Sequence, residues 1–176
     1  MKIGTLLPSA TEIVCVLGLE NNLVGISHEC DFPTSIADLP KLTSSSIGEH
    51  KNSQDIHKSV ESLLKNSLSV YDLNLELLKF LKPDYLITQD LCDVCAVSFA
   101  QVTDACNKVL DSNTKIISLR PQRLKDIWED VRNVAQELEA IPAYEEFKAD
   151  VDRRIEYIAN KVAGNSLAKR SVLTIE

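Results

Sequence analysis

Glycine is scarce in this chain, five in 176 residues, and that scarcity closes off much nucleotide chemistry. Phosphate-cradling loops use glycine because the backbone must approach the pyrophosphate closely, and neither GxGxxG nor GxxxxGK(S/T) occurs. HExxH and GxSxG are missing too, so the usual zinc-protease and serine-hydrolase signatures are absent. Positive charge is also short: 19 Lys and Arg face 26 Asp and Glu, a net charge of -7. Such a balance repels a phosphate backbone, and the densest basic runs, Arg153-Arg154 and Lys169-Arg170, are mere pairs, so nucleic acid is not an expected partner. No apolar run approaches the roughly 20 residues that span a bilayer. The opening Met1-Lys2-Ile3-Gly4, with Pro8 close behind, lacks the basic-then-apolar pattern of an export signal. The expectation is a cytoplasmic chain with no membrane insertion.

What is present is enough for one core. At 44% apolar residues, a chain of this length folds more comfortably as one domain than as two. Its five cysteines, an odd number, suit a reducing compartment, which brings thiol or metal chemistry into consideration.

Short apolar runs alternate with helical patterns. Residues 2–7 read as a strand; Ser9-Ala10-Thr11-Glu12 has capping-box spacing before a helix that Gly18 stops. Residues 22–27 form a second strand. The run Thr43-Ser44-Ser45-Ser46 reads as loop, and 53–64 as a helix carrying Ile56, Val60, Leu63 and Leu64 on one face. A helix over 75–81 halts at Lys82-Pro83, a buried strand covers 84–88, a helix runs from about 97 to 110, and a strand occupies 114–119. This alternation predicts an α/β fold with a parallel sheet of roughly four or five strands covered on both faces.

Two amphipathic helices follow. Leu124, Ile127, Trp128, Val131, Val134 and Leu138 make one apolar stripe. Tyr144, Phe147, Val151, Ile155, Ile158 and Val162 make another, on a helix over 142–163 about 33 Å long. That second stripe is expected to be buried. Residues 170–175 read as a strand opening a new unit.

In open α/β sheets ligands bind beyond the carboxyl ends of the strands. The candidate ligand-binding residues are therefore Pro8, Ser9 and Thr11; His28, Glu29 and Asp31; Gln89 and Asp90; and Arg120. His28, Cys30, Cys92 and Cys95 would make a Cys₃His set for zinc or another soft metal. The Cys92-x-x-Cys95 pair also reads as a redox motif, though without the proline and glycine usual in thioredoxins. A third reading has these thiols only packing or lining a pocket, as Cys15 and Cys106 do within helices.

Two long motifs within these segments are distinctive: SHECDFP at 27–33 and TQDLCDVCAVS at 88–98, set in LLPSATEIVCVLGLENNLVGISHECDFP (6–33) and LNLELLKFLKPDYLITQDLCDVCAVS (73–98). With them the chain resembles the cobalamin-binding branch of the ABC-transporter periplasmic substrate-binding proteins, the class that also captures siderophores and haem. The resemblance implies a Rossmann-like ligand-binding lobe over 1–138, a bridging helix over 142–163, and at 170–176 the start of a second lobe that the chain lacks. It implies non-catalytic binding of cobalamin or a related metal chelate, an ABC permease as partner for an exported form, and a periplasmic or cell-surface setting. If the strand-end loops form a chelate-binding face, His28 or a thiolate of Cys30, Cys92 or Cys95 is the natural axial donor; the other reading is that His28 only hydrogen-bonds the neighbouring loop. The alternative is a cytosolic metal-binding or thiol-redox protein using Cys30, Cys92 and Cys95. A homodimer is expected, with the 142–163 helix or the 170–175 strand at its interface.

Overall fold

The structure is a computed structural model and describes residues 1–46, 53–55, 57–58, 71–90, 99–109, 114–163 and 171–173. The elements run β1 (Ile3–Thr5), α1 (Pro8–Val16), β2 (Leu23–Gly25), β3 (Thr43–Ser45), β4 (Tyr71–Leu73), α2 (Leu75–Leu81), β5 (Tyr85–Gln89), α3 (Phe99–Val109), β6 (Lys115–Leu119), α4 (Leu124–Glu137) and α5 (Ile141–Ala163). Four strands form a sheet in the order β2-β1-β5-β6, every neighbour parallel. Ile3 pairs with Leu23 on one side and Tyr85 on the other, and β5 stays in register with β6 from Tyr85–Lys115 to Gln89–Leu119.

Each face of the sheet has its own apolar layer, as a two-sided parallel sheet requires. One layer gathers Ile3, Ile87 and Ile117 with Ala10 and Val14 of α1 and Val131 and Val134 of α4. The other joins Leu86 to Leu78 of α2 and to Val102 and Cys106 of α3. Leu42 belongs to this second layer and presses on Gly25, where a Cβ would lie 2.8 Å from its Cγ; a side chain has no room there.

Several sequence expectations change. The first helix begins at Pro8, with Leu7 at the N-cap and no side-chain cap, so the Ser9 capping box does not form; proline at the first turn already supplies the helical φ and needs no partner for its nitrogen. Gly18 ends this segment at φ 75°, as expected. Thr43–Ser45, read as loop, is a strand that pairs antiparallel with the unforeseen β4, in the register Thr43–Leu73, Ser44–Asp72 and Ser45–Tyr71. Only Thr43 of β3 is buried, so β3 carries none of the alternating apolar signal that marks a strand. The alternation Tyr71-Asp72-Leu73 of β4, which rests Tyr71 and Leu73 on the second layer, is only three residues long. The ribbon joins the main sheet through a bridge between Ile26 and Lys41. Residues 53–55 and 57–58 are helical, and the rest of the helix expected over 53–64 lies outside the described residues.

The stripe on α5 is the clearest correction. Tyr144 and Phe147 pack against the first layer, Phe147 with its ring tilted 6.2 Å from that of Trp128. Beyond Val151 the stripe is open: Ile155, Ile158 and Val162 are 49%, 61% and 66% exposed. The helix outruns the described lobe, so among the described residues its second half has no layer to pack against. Ser171–Leu173 forms no strand and is exposed; the remainder of the expected 170–175 strand lies outside the described residues. No described helix is long and apolar enough to cross a membrane.

Candidate functional site

Because all four strands of the main sheet run the same way, the segments that follow them open on one edge, the place where α/β sheets bind ligands. The sheet order carries Pro8 and Ser9 after β1, His28, Glu29 and Asp31 after β2, Asp90 after β5 and Arg120 after β6 to that edge. Ser9, Glu29, Asp31, Asp90 and Arg120 are exposed, and Pro8, His28 and Gln89 are half-buried.

Thr11 belongs elsewhere. It is fully buried, its hydroxyl 2.6 Å from Thr5 Oγ1 and 3.1 Å from Cys30 Sγ. It ties α1 to β1 and to the loop after β2, and its side chain does not face the edge. Cys30 is turned inward by the same contact and is 5% exposed. Burial pushes its thiol up from the ordinary 9.0, against the lowering effect of the Thr11 bond, which favours the neutral thiol over the thiolate. Burial likewise raises Cys106, and Cys15 is raised to about 11 by burial and then by Glu20. Cys92 and Cys95 lie outside the described residues, and among the described residues no three His, Cys, Asp or Glu side chains converge as a metal site.

His28 is held by residues that sequence reasoning missed. Its backbone N–H donates to Thr43 Oγ1 at 3.1 Å, and its Nδ1 lies 2.8 Å from the same oxygen. Ser27 Oγ sits 3.0 Å from Thr43 Oγ1 and accepts from the Glu29 N–H at 3.4 Å. Across the loop, the Tyr71 hydroxyl donates to Glu29 Oε1 at 2.8 Å, and the Tyr71 ring tilts 5.3 Å from the imidazole. The β3–β4 ribbon thus braces the loop after β2 from both of its strands. Nothing in the spacing of Thr43 and Tyr71 announces this role, since their meeting depends on an antiparallel pairing between two short strands far apart in sequence.

On the far side, Arg120 and Asp90 form an ion pair between the ends of β6 and β5. The Arg120 N–H donates to Asp130 Oδ2 at 3.0 Å, and its guanidinium lies 6.0 Å from the centre of the Phe99 ring. Burial raises the Asp130 carboxyl above its usual range, opposed by that N–H. A depression of about 440 Å³ lies at the opposite end of the sheet, lined by Met1, Asp84, Tyr85, Glu137, Leu138 and Glu139; it is remote from the strand-end loops.

No protein-family model and no curated protein matches the chain. Solved structures do. A periplasmic haem-binding protein from Pseudomonas aeruginosa matches with a TM-score of 0.62 and 18% identity over 92% of this chain and 47% of its own. A possible iron-binding periplasmic solute-binding protein from Staphylococcus epidermidis gives 0.63 and 20% over 96% and 53%. The periplasmic vitamin B12-binding protein BtuF of Vibrio cholerae gives 0.60 and 18% over 93% and 51%. The chain has the fold of one half of a substrate-binding protein. It spans about half the length of the solved structures it matches. In this substrate-binding fold the strand-end edge described above is the face that the loops after β1, β2, β5 and β6 share.

Proposed function

We propose that the chain is a ligand-binding lobe for a metal chelate of the tetrapyrrole class, cobalamin in the first instance, serving an ABC-type uptake system by binding and not by catalysis. The observation that carries this reading is the single edge on which the SHECDFP loop, the Ser9 turn, Asp90 and Arg120 assemble, in a fold shared with haem- and B12-binding proteins. A flat, amide- or carboxylate-rimmed ring suits such an edge, because exposed hydroxyl, carboxylate and guanidinium groups can meet its periphery. The fit is to one face only. A single lobe covers less of a large ligand than the roughly 70–90% that a closed pocket covers of a smaller one, so affinity for the isolated chain is expected to be weak.

The permease partner and the extracytoplasmic setting follow the same reading, since the neighbours above are periplasmic proteins. The cytosolic thiol-redox alternative is weakened at Cys30, whose thiol is buried and raised in pKa. Equilibrium dialysis against hydroxocobalamin and haemin, read by visible absorbance, tests the proposal. Retained corrinoid or porphyrin bands support it. A colourless protein after exposure to millimolar ligand ends it.

A further inference from the structure

Thr43 Oγ1 has three neighbours and the valence for three hydrogen bonds. A hydroxyl donates one and accepts two. The His28 N–H donates to it at 3.1 Å, which fills one acceptor position. Two contacts remain, Ser27 Oγ at 3.0 Å and His28 Nδ1 at 2.8 Å, and one must be donated to and the other accepted from. If Thr43 donated to Ser27, the Ser27 hydrogen would have no acceptor among the described residues, for the other contact of Ser27 Oγ is the Glu29 N–H, itself a donor, and the residue is 3% exposed. If Ser27 donates to Thr43 and Thr43 donates to Nδ1, every hydrogen in the relay finds an acceptor, and only one lone pair, on Ser27 Oγ, is left over. Buried hydroxyls adopt the arrangement that satisfies them, and the bond made by one imidazole nitrogen fixes the proton on the other.

From this count we infer that His28 is the tautomer with its proton on Nε2, and that it meets the ligand as a hydrogen-bond donor to an acceptor oxygen on the ligand's rim, not as an axial metal donor. Metal ligation through Nε2 would need that nitrogen bare and Nδ1 protonated, which reverses the relay and strands the Ser27 hydrogen. The rim acceptor is a carboxylate or an amide oxygen. Thr43 is then a positioning residue that acts through His28. The donor role rests on the chelate-binding reading above; the tautomer does not.

Two measurements separate them. In the full chain labelled with 15N-histidine, long-range proton–nitrogen correlation should show the His28 proton on Nε2 without any ligand, retained in Thr43→Ser and lost as a single tautomer in Thr43→Val. A proton on Nδ1 overturns the inference. For the ligand, affinities of wild type and His28→Ala are compared for haemin, metal-free protoporphyrin IX and hydroxocobalamin. A donor to a charged rim oxygen predicts a loss of about tenfold, equal for haemin and the metal-free porphyrin, with the Soret band of bound haemin unmoved. A similar loss with hydroxocobalamin assigns the acceptor to an amide oxygen, and a loss confined to the porphyrins to a carboxylate. A deficit seen with haemin alone, accompanied by a shifted Soret band, overturns the donor role. Failure of wild type to bind any of the three removes the donor role and the chelate-binding reading together, while the tautomer is still decided by the spectrum.

Discussion

Replacing Thr11 by Val tests whether the loop after β2 is anchored by hydroxyl bonding or merely by shape. Val keeps the volume of Thr and removes the oxygen that stands 2.6 Å from Thr5 Oγ1 and 3.1 Å from Cys30 Sγ. Thr5 is fully buried, so its hydroxyl then has no partner and no route to water. An orphaned group of this kind costs about 1–3 kcal/mol. Taking about 2 kcal/mol and a urea slope of roughly 2 kcal/mol/M, the unfolding midpoint should fall by about 1 M. The melting temperature should fall by about 4–8 °C for a chain of this size. Removing both hydroxyls, Thr5→Val with Thr11→Val, leaves nothing orphaned between them. The pair should therefore cost clearly less than the two single losses added, giving a coupling of about 1–2 kcal/mol in a double-mutant cycle. Urea titrations followed by far-UV circular dichroism supply the four midpoints. Strict additivity, or a Thr11→Val midpoint within error of wild type, would refute the claim that this oxygen anchors the loop.

Thr88 Oγ1 and Ser118 Oγ are buried without a hydrogen-bond partner among the described residues, on directly paired residues of β5 and β6, so Thr88→Val should hold or raise stability, by up to about 1 kcal/mol, and a lower urea midpoint would contradict this. Gly25→Ala should cost about 1–3 kcal/mol through overpacking, because the new Cβ meets three Leu42 carbons at 2.8–3.1 Å; trimming Leu42 to Ala in the same chain should recover part of that loss. Cys15, raised from 9.0 to about 11, has about a hundredfold less thiolate near pH 8, partly offset by its greater intrinsic nucleophilicity. Iodoacetamide should label it about tenfold more slowly than an ordinary thiol, a ratio that peptide mass spectrometry can read. The folded-state pKa of Asp130 is raised, so its contribution is intact below the ordinary carboxylate pKa and is lost as pH climbs from there through the raised value; Asp130→Asn should flatten that decline in a pH series of urea midpoints.

The strands and helices that sequence reasoning placed well are those with an apolar period. Leu75–Leu81 forms over the expected residues, and β5, α3 and β6 shift by no more than two positions from their expected ends. β5 contributes the buried run Leu86, Ile87 and Thr88, and the others contribute Leu78, Val102 with Cys106, and Ile117 with Leu119, the burial that an apolar period reports. The β3–β4 ribbon was illegible because β3 is polar, each strand is three residues long and the two lie far apart in sequence. The α5 stripe shows the converse limit: periodicity announced an apolar face on Ile155, Ile158 and Val162 correctly, but could not say whether this chain covers it. At the site, the strand-end rule placed His28, Asp90 and Arg120 on one edge. It misplaced Thr11 for a simple reason: the first turn of a helix has an inner side, and Thr11 is on it.

The ribbon also sets the order in which this edge can come into being. His28 is steadied by Thr43, fifteen positions away, and Glu29 by Tyr71, forty-two positions away. Local chain closure is rapid and distant closure slower, so the loop after β2 cannot take its final shape until β3 has found β4. Opening that short pairing would release the Tyr71 brace and loosen the Thr43 one, which the Leu42–Ile26 bond still ties to the sheet, without disturbing the four-stranded sheet. The amides of the ribbon and of 28–30 should therefore exchange with solvent as one unit of low stability, ahead of β1 and β5. The edge would then be assembled and dismantled while the sheet beneath it stays folded.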